Sequence, residues 1–498
     1  MTAPWWQEAV IYQVYPRSYC DTSGDGVGDL NGLLAHLDHL VWLGVDAVWL
    51  SPICRSPMAD NGYDVSAYDD VDPVFGTLDD LDRLVADAHD RGLKVLLDWV
   101  PNHTSVEHPW FTEHPDFYVW VDGTPDTPPN GWREAFHDGP AWAWHEGRGQ
   151  WYLHLFLAEQ PDLDWSNPAV VEVMHGTLRF WLDRGVDGFR MDVVHCIGKG
   201  SDLPLLLPEQ EAAPVVAIDV PRTHTLLQGI RAVLDEYGDT TSVGEVYLLD
   251  TEKVAGYYGT PEAPELHLSF NFPGLWAPWE AGVWRTRIDE VEQHLTSERW
   301  PTWVLSNHDV PRHRTRYGSE ARARAAAVLL ATLRGTPFLY AGEELGLEDA
   351  VVPTERALDP GGRDGCRAPV PWTAEAGHGW ASGPDAWLPW PPDAARRSVA
   401  AQQADEGSIL WLYKRLLAAR RASPALRHGT FAWLPSSADV LAYERQEGGD
   451  RRVVLVNLGG APAAVPIDGD WQVELATDGI STPAAMAADA AVVLRPTP

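Results

Sequence analysis

Short apolar runs alternate with amphipathic stretches along most of the chain. Residues 10–16, 45–52, 94–100 and 186–193 are strand-like runs. Between them, residues 30–43 carry apolar side chains at helical spacing and stop at Gly44. Residues 77–91 have Asp79 and Asp80 in the first turn and Gly92 just past the end, both helix-terminus signals. Residues 168–184 and 225–237 predict further helices. Runs at 242–247, 266–272, 300–307 and 336–341 bring the strands to eight, and helices at 319–334 and 409–422 complete the ring.

Strand and helix in regular alternation predict an α/β fold, a (β/α)8 TIM barrel. Two stretches break the alternation. Residues 103–166 are rich in Pro, Trp, His and Gly and are too long for an ordinary loop, so they predict an inserted subdomain over the barrel mouth after strand 3. From 426 to 498 short alternating strands separated by Gly, Asp and Pro predict a C-terminal antiparallel β domain, expected as a sandwich. The barrel then comprises residues 1–102 and 167–425.

Four strand ends carry acids or histidines: Asp98 with Asn102 and His103, Arg190 with Asp192 and His195, Glu245, and Asn307 with His308 and Asp309. Functional groups at the C-terminal ends of several strands are the mark of a barrel enzyme. Arg190 and Asp192 are two apart on a strand and share a face, so the guanidinium is expected to keep Asp192 ionised. Retaining glycosidases need two carboxyl groups about 5–5.5 Å apart, and adjacent barrel strands can supply them. Asp192 suits the nucleophile. Glu245, without a cation in its own segment and crowded by other acids, suits the general acid/base. His103 and His308 suit hydrogen bonds to sugar hydroxyls.

The formal net charge of −35 argues against nucleic acid or an anionic membrane surface as partner. Four scattered cysteines lack metal-site spacing, no long apolar run occurs, and the first residues lack a leader pattern, so a cytoplasmic protein is expected.

These segments resemble the ordered signature regions of the α-amylase superfamily (glycoside hydrolase family 13). The matches are 98–103, 188–195, 244–245 and 307–309, in the family's order. Residues 160–165, 12–19 and 28–32 match further regions of its α-glucosidase and oligo-1,6-glucosidase branch. The resemblance implies a nucleophile at Asp192, an acid/base at Glu245 and a transition-state-stabilising Asp309. It implies a glucose pocket in which Tyr63 stacks on the sugar, while Asp64 and Arg367 hold the non-reducing end and block longer chains. His103, Phe156, Gln160, Arg190 and His308 would line the same pocket.

The stretch Asp21, Ser23, Asp25, Val27, Asp29 places oxygen ligands at alternate positions, like the front half of an EF-hand loop, but Gly32 stands where such a loop supplies Glu. Spacing alone fits a solvated turn as well as a metal site. The resemblance implies a structural Ca²⁺ or Mg²⁺ there, although Ser23 replaces the Asn usual in relatives. No organic cofactor is expected.

The reading is a retaining, exo-acting α-glucosidase on short α-glucosides such as maltose, working as a monomer or weak homo-oligomer. Val193 resembles enzymes that accept α-1,6 linkages. The alternative is a glucosyl transferase, or a trehalose- or sucrose-acting relative, with the same glucosyl-enzyme intermediate. Trp132, Trp142, Trp144 and Trp151 are candidate substrate contacts. Residues 197–222 are expected to fold over the mouth.

Overall fold

Strand polarity and inward-facing side chains are what carry the functional groups to one end of the molecule. The computed structural model describes residues 3–199, 219–296 and 298–497. Eight parallel strands form one sheet: β1 (Ile11–Val14), β2 (Ala47–Leu50), β3 (Lys94–Trp99), β4 (Gly188–Met191), β5 (Thr241–Gly244), β6 (Leu268–Ser269), β7 (Thr302–Val304) and β8 (Thr336–Tyr340). Neighbours pair in the order β6-β5-β4-β3-β2-β1-β8-β7. β6 is only two residues long, so no ladder joins it to β7. The Thr302 hydroxyl closes the ring instead, donating to the Ser269 carbonyl at 2.8 Å and accepting from the Asn271 amide at 3.3 Å.

The period of two decides what faces inward. Ile11, Ala47, Trp49, Leu96, Val243, Leu268, Val304 and Phe338 fill the barrel, while Tyr12, Val14, Val48, Leu50, Val95, Leu97, Phe189 and Met191 pack outward against the helices. Toward the C-terminal ends the inward positions become polar: Gln13, Asp98 and Arg190, all buried. Gly188 is obligatory at the start of β4, because a Cβ there would stand 2.2 Å from the Thr241 carbonyl oxygen of β5.

Most predicted helices form where their caps place them. Thr77 and Asp80 make a reciprocal capping box on Leu78–Asp90. Ser408 caps Ile409–Ala422 through the Trp411 amide. The helix expected over 30–43 is two helices, Leu30–Ala35 and Leu37–Leu43. They break at His36, whose ring stacks on Trp372 with centroids 3.5 Å apart. Helix Ala281–His294 was not read from the sequence; it buries only the narrow face of Ala281, Trp284, Ile288 and Val291.

After β3 the chain forms a small three-stranded antiparallel sheet, with Gln150–Leu153 between Trp120–Asp122 and Trp142–His145. Trp132, Trp142, Trp151, Leu153 and Leu155 are its core, and that core extends to Val193 and Cys196 behind β4.

The C-terminal residues do not form the expected sandwich. They form one five-stranded antiparallel sheet from β9 (Thr430–Trp433), β10 (Val440–Glu447), β11 (Asp450–Asn457), β12 (Trp471–Ala476) and β13 (Ala491–Pro496), in the order β9-β10-β11-β13-β12. One face, with Leu441, Tyr443, Val454, Val456 and Val493, joins the main core. The other, with Val440, Ala442, Val453, Leu455 and Val492, is covered by Val465 and Met486 from irregular chain. That chain does the work a second sheet would do. Among the described residues no helix is long and apolar enough to cross a membrane.

Candidate active site

Register sets two candidate carboxyl groups side by side. β4 and β5 are parallel with Met191 opposite Gly244, so the next residues, Asp192 and Glu245, leave adjacent strands side by side. The ladder continues through both: the Asp192 amide donates to Trp99 O at 2.9 Å and the Glu245 amide to Met191 O at 2.8 Å. Neighbouring strands lie about 4.8 Å apart, close to the separation of a nucleophile and an acid/base in retaining glycosidases.

Arg190 organises three carboxyl groups. Its Nη1 donates to Asp192 at 2.6 Å and to Asp98 at 2.9 Å, and its Nη2 donates to Glu245. Asp98 stands opposite Arg190 across the β3–β4 ladder. The expectation that Arg190 alone keeps Asp192 in the usual carboxylate range is not met. Burial, with the charges of Glu245 and Asp98, outweighs the guanidinium and pushes the Asp192 carboxyl well up. Burial likewise raises Asp98 to about 7 against the pull of Arg190. Asp192 and Asp98 thus share one guanidinium, and burial favours the protonated form of each.

Asp309 is the opposite case. Burial alone would raise it, but His308 and the guanidinium groups of Arg363 and Arg367 hold it well below the usual carboxylate range. Arg363 Nη1 lies 3.0 Å away and Arg367 Nη2 3.3 Å. The Asn307 side chain shapes the turn, accepting from the Asp309 amide at 2.9 Å and the Val310 amide at 3.1 Å.

Between these groups lies a cleft of about 70 Å³ lined by Asp60, Tyr63, His103, Phe136, Phe156, Asp192, Val193, Glu245, Asp309 and Arg363. Tyr63 is locked in a relay: Gln13 Nε2 bonds His308 Nδ1 at 2.7 Å, His308 Nε2 bonds the Tyr63 hydroxyl at 2.5 Å, and that hydroxyl donates to Asp98 at 3.1 Å. The His308 and Tyr63 rings stack at 5.5 Å and 7°. His308 thus stands behind Tyr63. Burial depresses both His308 and His103 to about 3, so both rings are neutral. Gln160 is fully buried and also sits behind the wall, donating to Asp60 and contacting His103, each at 3.1 Å.

The expected pair Asp64–Arg367 is not what faces the cleft. The Asp64 carboxylate is taken up by the Ser56 hydroxyl and the amides of Ala59 and Asp60 at 2.8–2.9 Å, where it closes a turn. Arg367 is buried beneath the site, bonded to His308 O and Asp359. The pair lining the cleft is Asp60–Arg363, with Arg363 Nη2 2.6 Å from Asp60. Each motif holds two candidates four residues apart, Asp60/Asp64 and Arg363/Arg367, and spacing gives no means of choosing. Phe136 was also missed; its ring lies 4.9 Å from the Arg363 guanidinium carbon and 5.8 Å from Phe156. Trp132, Trp142 and Trp151 are buried in the inserted subdomain and do not line the cleft, nor does Trp144. Most of the segment expected over the mouth, residues 200–218, lies outside the described residues.

Val193, next after Asp192, holds a left-handed φ of 33°. A β-branched residue rarely accepts this conformation, and strain of this kind gathers at functional sites. The turn directs the Val193 amide at Glu245, 3.3 Å away.

The Asp21–Asp29 loop closes through its own backbone. Asp21 accepts from the amides of Gly24 and Gly26 and from Ser382, and Asp29 accepts from Thr22, Ser23 and Gly32. Asp25 accepts from the Val27 amide at 2.8 Å. Among the described residues no three acidic, His or Cys side chains converge as metal ligands.

Comparison with known proteins places the chain in a family. Residues 13–429 match the family model described as alpha amylase, catalytic domain. A probable alpha-glucosidase of Rhizobium meliloti (strain 1021) is 42% identical, over 91% of this chain and 89% of its own length. An oligo-1,6-glucosidase of Parageobacillus thermoglucosidasius is 36% identical, over 92% and 91%. Among solved structures, the alpha-glucosyl transfer enzyme XgtA superposes with a TM-score of 0.89 at 38% identity, over 100% of both chains. The trehalulose synthase MutB of Pseudomonas mesoacidophila MX-45 gives 0.92 at 32% identity, over 99% and 100%. The chain belongs to the alpha-amylase family.

Proposed function

We propose that this protein is a retaining, exo-acting α-glucosidase that releases glucose from the non-reducing end of short α-glucosides such as maltose. The observation that carries the reading is the side-by-side placement of Asp192 and Glu245 at the ends of β4 and β5, in a cleft whose wall carries the Asp60–Arg363 ion pair. An Asp192 oxygen attacks the anomeric carbon while Glu245 gives its proton to the glycosidic oxygen, and the bond to the leaving sugar breaks. Water then attacks the same carbon, Glu245 takes its proton, and the ester to Asp192 breaks. Asp309, held ionised by Arg363 and Arg367, faces the positive charge of the oxocarbenium-like transition state. In this reading Asp60 and Arg363 present an acceptor and donors for the terminal hydroxyl groups.

The relatives' names include both α-glucosidase and oligo-1,6-glucosidase. Val193 lines the cleft beside the nucleophile, and we read maltose as the preferred substrate with α-1,6 linkages accepted as well. Full-length likeness to an alpha-glucosyl transfer enzyme supports a second reading, transfer of the same glucosyl group to another sugar. The four cysteines are free and buried, which supports work in the reducing cytoplasm.

Glucose release from maltose, isomaltose, sucrose and trehalose in parallel, with Asp192→Ala as control, tests the proposal. Release from maltose that vanishes in the variant is the expected result. No glucose from any of the four overturns it, and new oligosaccharides in its place identify a transferase.

A further inference from the structure

A cavity of about 980 Å³ opens at the end of the barrel away from the acids. Val10, Asp46 and Lys94 line it where β1, β2 and β3 begin, opposite the strand ends that carry Asp98 and Asp192. Helices Ile409–Ala422 and Pro424–His428 supply the other wall. The charge of this cavity runs against that of the chain. The sequence has 72 Asp and Glu against 37 Lys and Arg, and the cleft at the opposite end has four acids and one arginine. Here four permanent cations, Lys94, Arg420, Arg421 and Arg427, meet three acids, Glu8, Asp46 and Glu447.

Arg420 is the side chain that lacks a counter-charge. It is 1% exposed and makes no ion pair among the described residues. Its Nη1 donates to the Ala331 and Leu426 carbonyls at 3.1 and 2.9 Å, its Nη2 to the Gly335 carbonyl at 2.7 Å, and its Nε finds no acceptor. A buried charge met only by carbonyl dipoles is costly. Burial lowers this guanidinium to about 10; the charges of Asp46 and Glu8 oppose the shift and that of Arg427 adds to it. The outer cations are held loosely. The Arg421 side chain is 56% exposed and donates to Asp46 at 2.6 Å. Arg427 shares Glu8 with His428, whose Nδ1 lies 3.2 Å from that carboxylate. Exposed ion pairs of this kind are worth little, so both arginines can exchange partners. Lys94, by contrast, is tied to Asp187 at 2.8 Å.

We propose that this cavity binds a small phosphomonoester, with the phosphate held by Arg421 and Arg427 in front of the buried Arg420, and the carbon skeleton on Trp5 and Leu417. The compact dianion supplies the counter-charge that Arg420 lacks, and phosphate oxygens match the guanidinium fork. The volume lies within the range of small-molecule sites and exceeds what a bare phosphate fills. Trp5 and Leu417 line the same space and give the remainder of the ligand an apolar surface. Because the site is at the closed end of the barrel, its ligand does not compete with a sugar in the cleft.

Calorimetric titration of the full chain at constant ionic strength tests this, with glucose 6-phosphate and inorganic phosphate as probes. Both are expected to bind, the ester more tightly. Arg421→Gln is expected to weaken both about tenfold, the size of one charge-assisted hydrogen bond. Glu8→Gln removes the carboxylate that competes for Arg427 and His428, and is expected to tighten both about threefold. A purely structural role for these residues would give no such opposite pair of effects. No binding of either probe, or binding that both substitutions leave unchanged, overturns the proposal. Binding of inorganic phosphate alone overturns the ester assignment.

Discussion

Asp60 and Arg363 stand 303 residues apart in the sequence and 2.6 Å apart in the structure. The same guanidinium reaches Asp309 at 3.0 Å, so one side chain ties the pocket wall to an acid of the site. Removing one partner of a buried, bonded charge pair costs about 2–5 kcal/mol. Arg363→Ala is therefore expected to lower kcat/KM on maltose by about 10²–10³, with Asp60→Ala close behind. Steady-state kinetics check this. Retained activity in both variants would remove the pair from substrate binding.

Asp64 is predicted to matter for stability. Its carboxylate satisfies Ser56 and the amides of Ala59 and Asp60. Asp64→Ala leaves those donors unpaired at about 1–3 kcal/mol. The melting temperature should drop by a few degrees, and the surviving folded enzyme should keep its KM for maltose. A KM rise of the size seen in Asp60→Ala, with no loss of melting temperature, would restore Asp64 as the sugar ligand.

Acid should unfold this protein through its buried histidines. His103 and His308 are neutral in the fold and titrate at about 3 there. In the unfolded chain they titrate near 6.5, so between these values the unfolded state binds protons that the native state refuses. Their stabilising contribution is complete above pH 6.5 and is lost as pH falls toward 3. His308→Gln should flatten the acid limb of a melting-temperature profile between pH 6.5 and 3. Profiles that stay parallel would contradict the assignment.

The Asp21–Asp29 loop is proposed to hold a structural Ca²⁺ or Mg²⁺, so dialysis against a chelator should lower the melting temperature and calcium should restore it. An unchanged melting temperature would show that the amide hydrogen bonds alone close the loop.

Under the C-terminal sheet, Arg445 is buried with no carboxylate partner among the described residues. It donates to the carbonyls of Thr332, Gly429 and Thr430, which closes the end of helix Glu320–Thr332, and burial lowers it to about 9. Arg445→Met is expected to cost about 2–4 kcal/mol by stranding these acceptors. Denaturant unfolding measures it, and kcat per folded molecule should not change.

The barrel was legible because its strands are continuous apolar runs and its helices carry caps. Thr77 with Asp80 and Ser408 before Ile409 mark the helix starts at the positions where they form. Asp192, Glu245 and Asp309 were legible as acids at the ends of apolar runs. Long-range choices were not. Asp60 and Asp64 differ only in which partner the fold brings to each, and the same holds for Arg363 and Arg367. The break at His36 depends on Trp372, far along the chain. The expected effect of Arg190 on Asp192 missed the burial and the two further acids that the register of β3 and β5 adds. The C-terminal strands show the same limit: the continuous apolar runs in β10 and β11 say that both faces are covered, not what covers them.

The central claim is that Asp192 is the nucleophile and Glu245 the acid/base. Fluoride leaves without a proton, so Glu245→Gln can still form the glucosyl-enzyme from α-glucosyl fluoride but cannot activate water to break it down. Mass spectrometry of the digested protein should find one glucosyl unit on the peptide that carries Asp192, absent when Asp192→Ala is added. An adduct on another residue, or rapid turnover by Glu245→Gln with no adduct, would contradict the assignment.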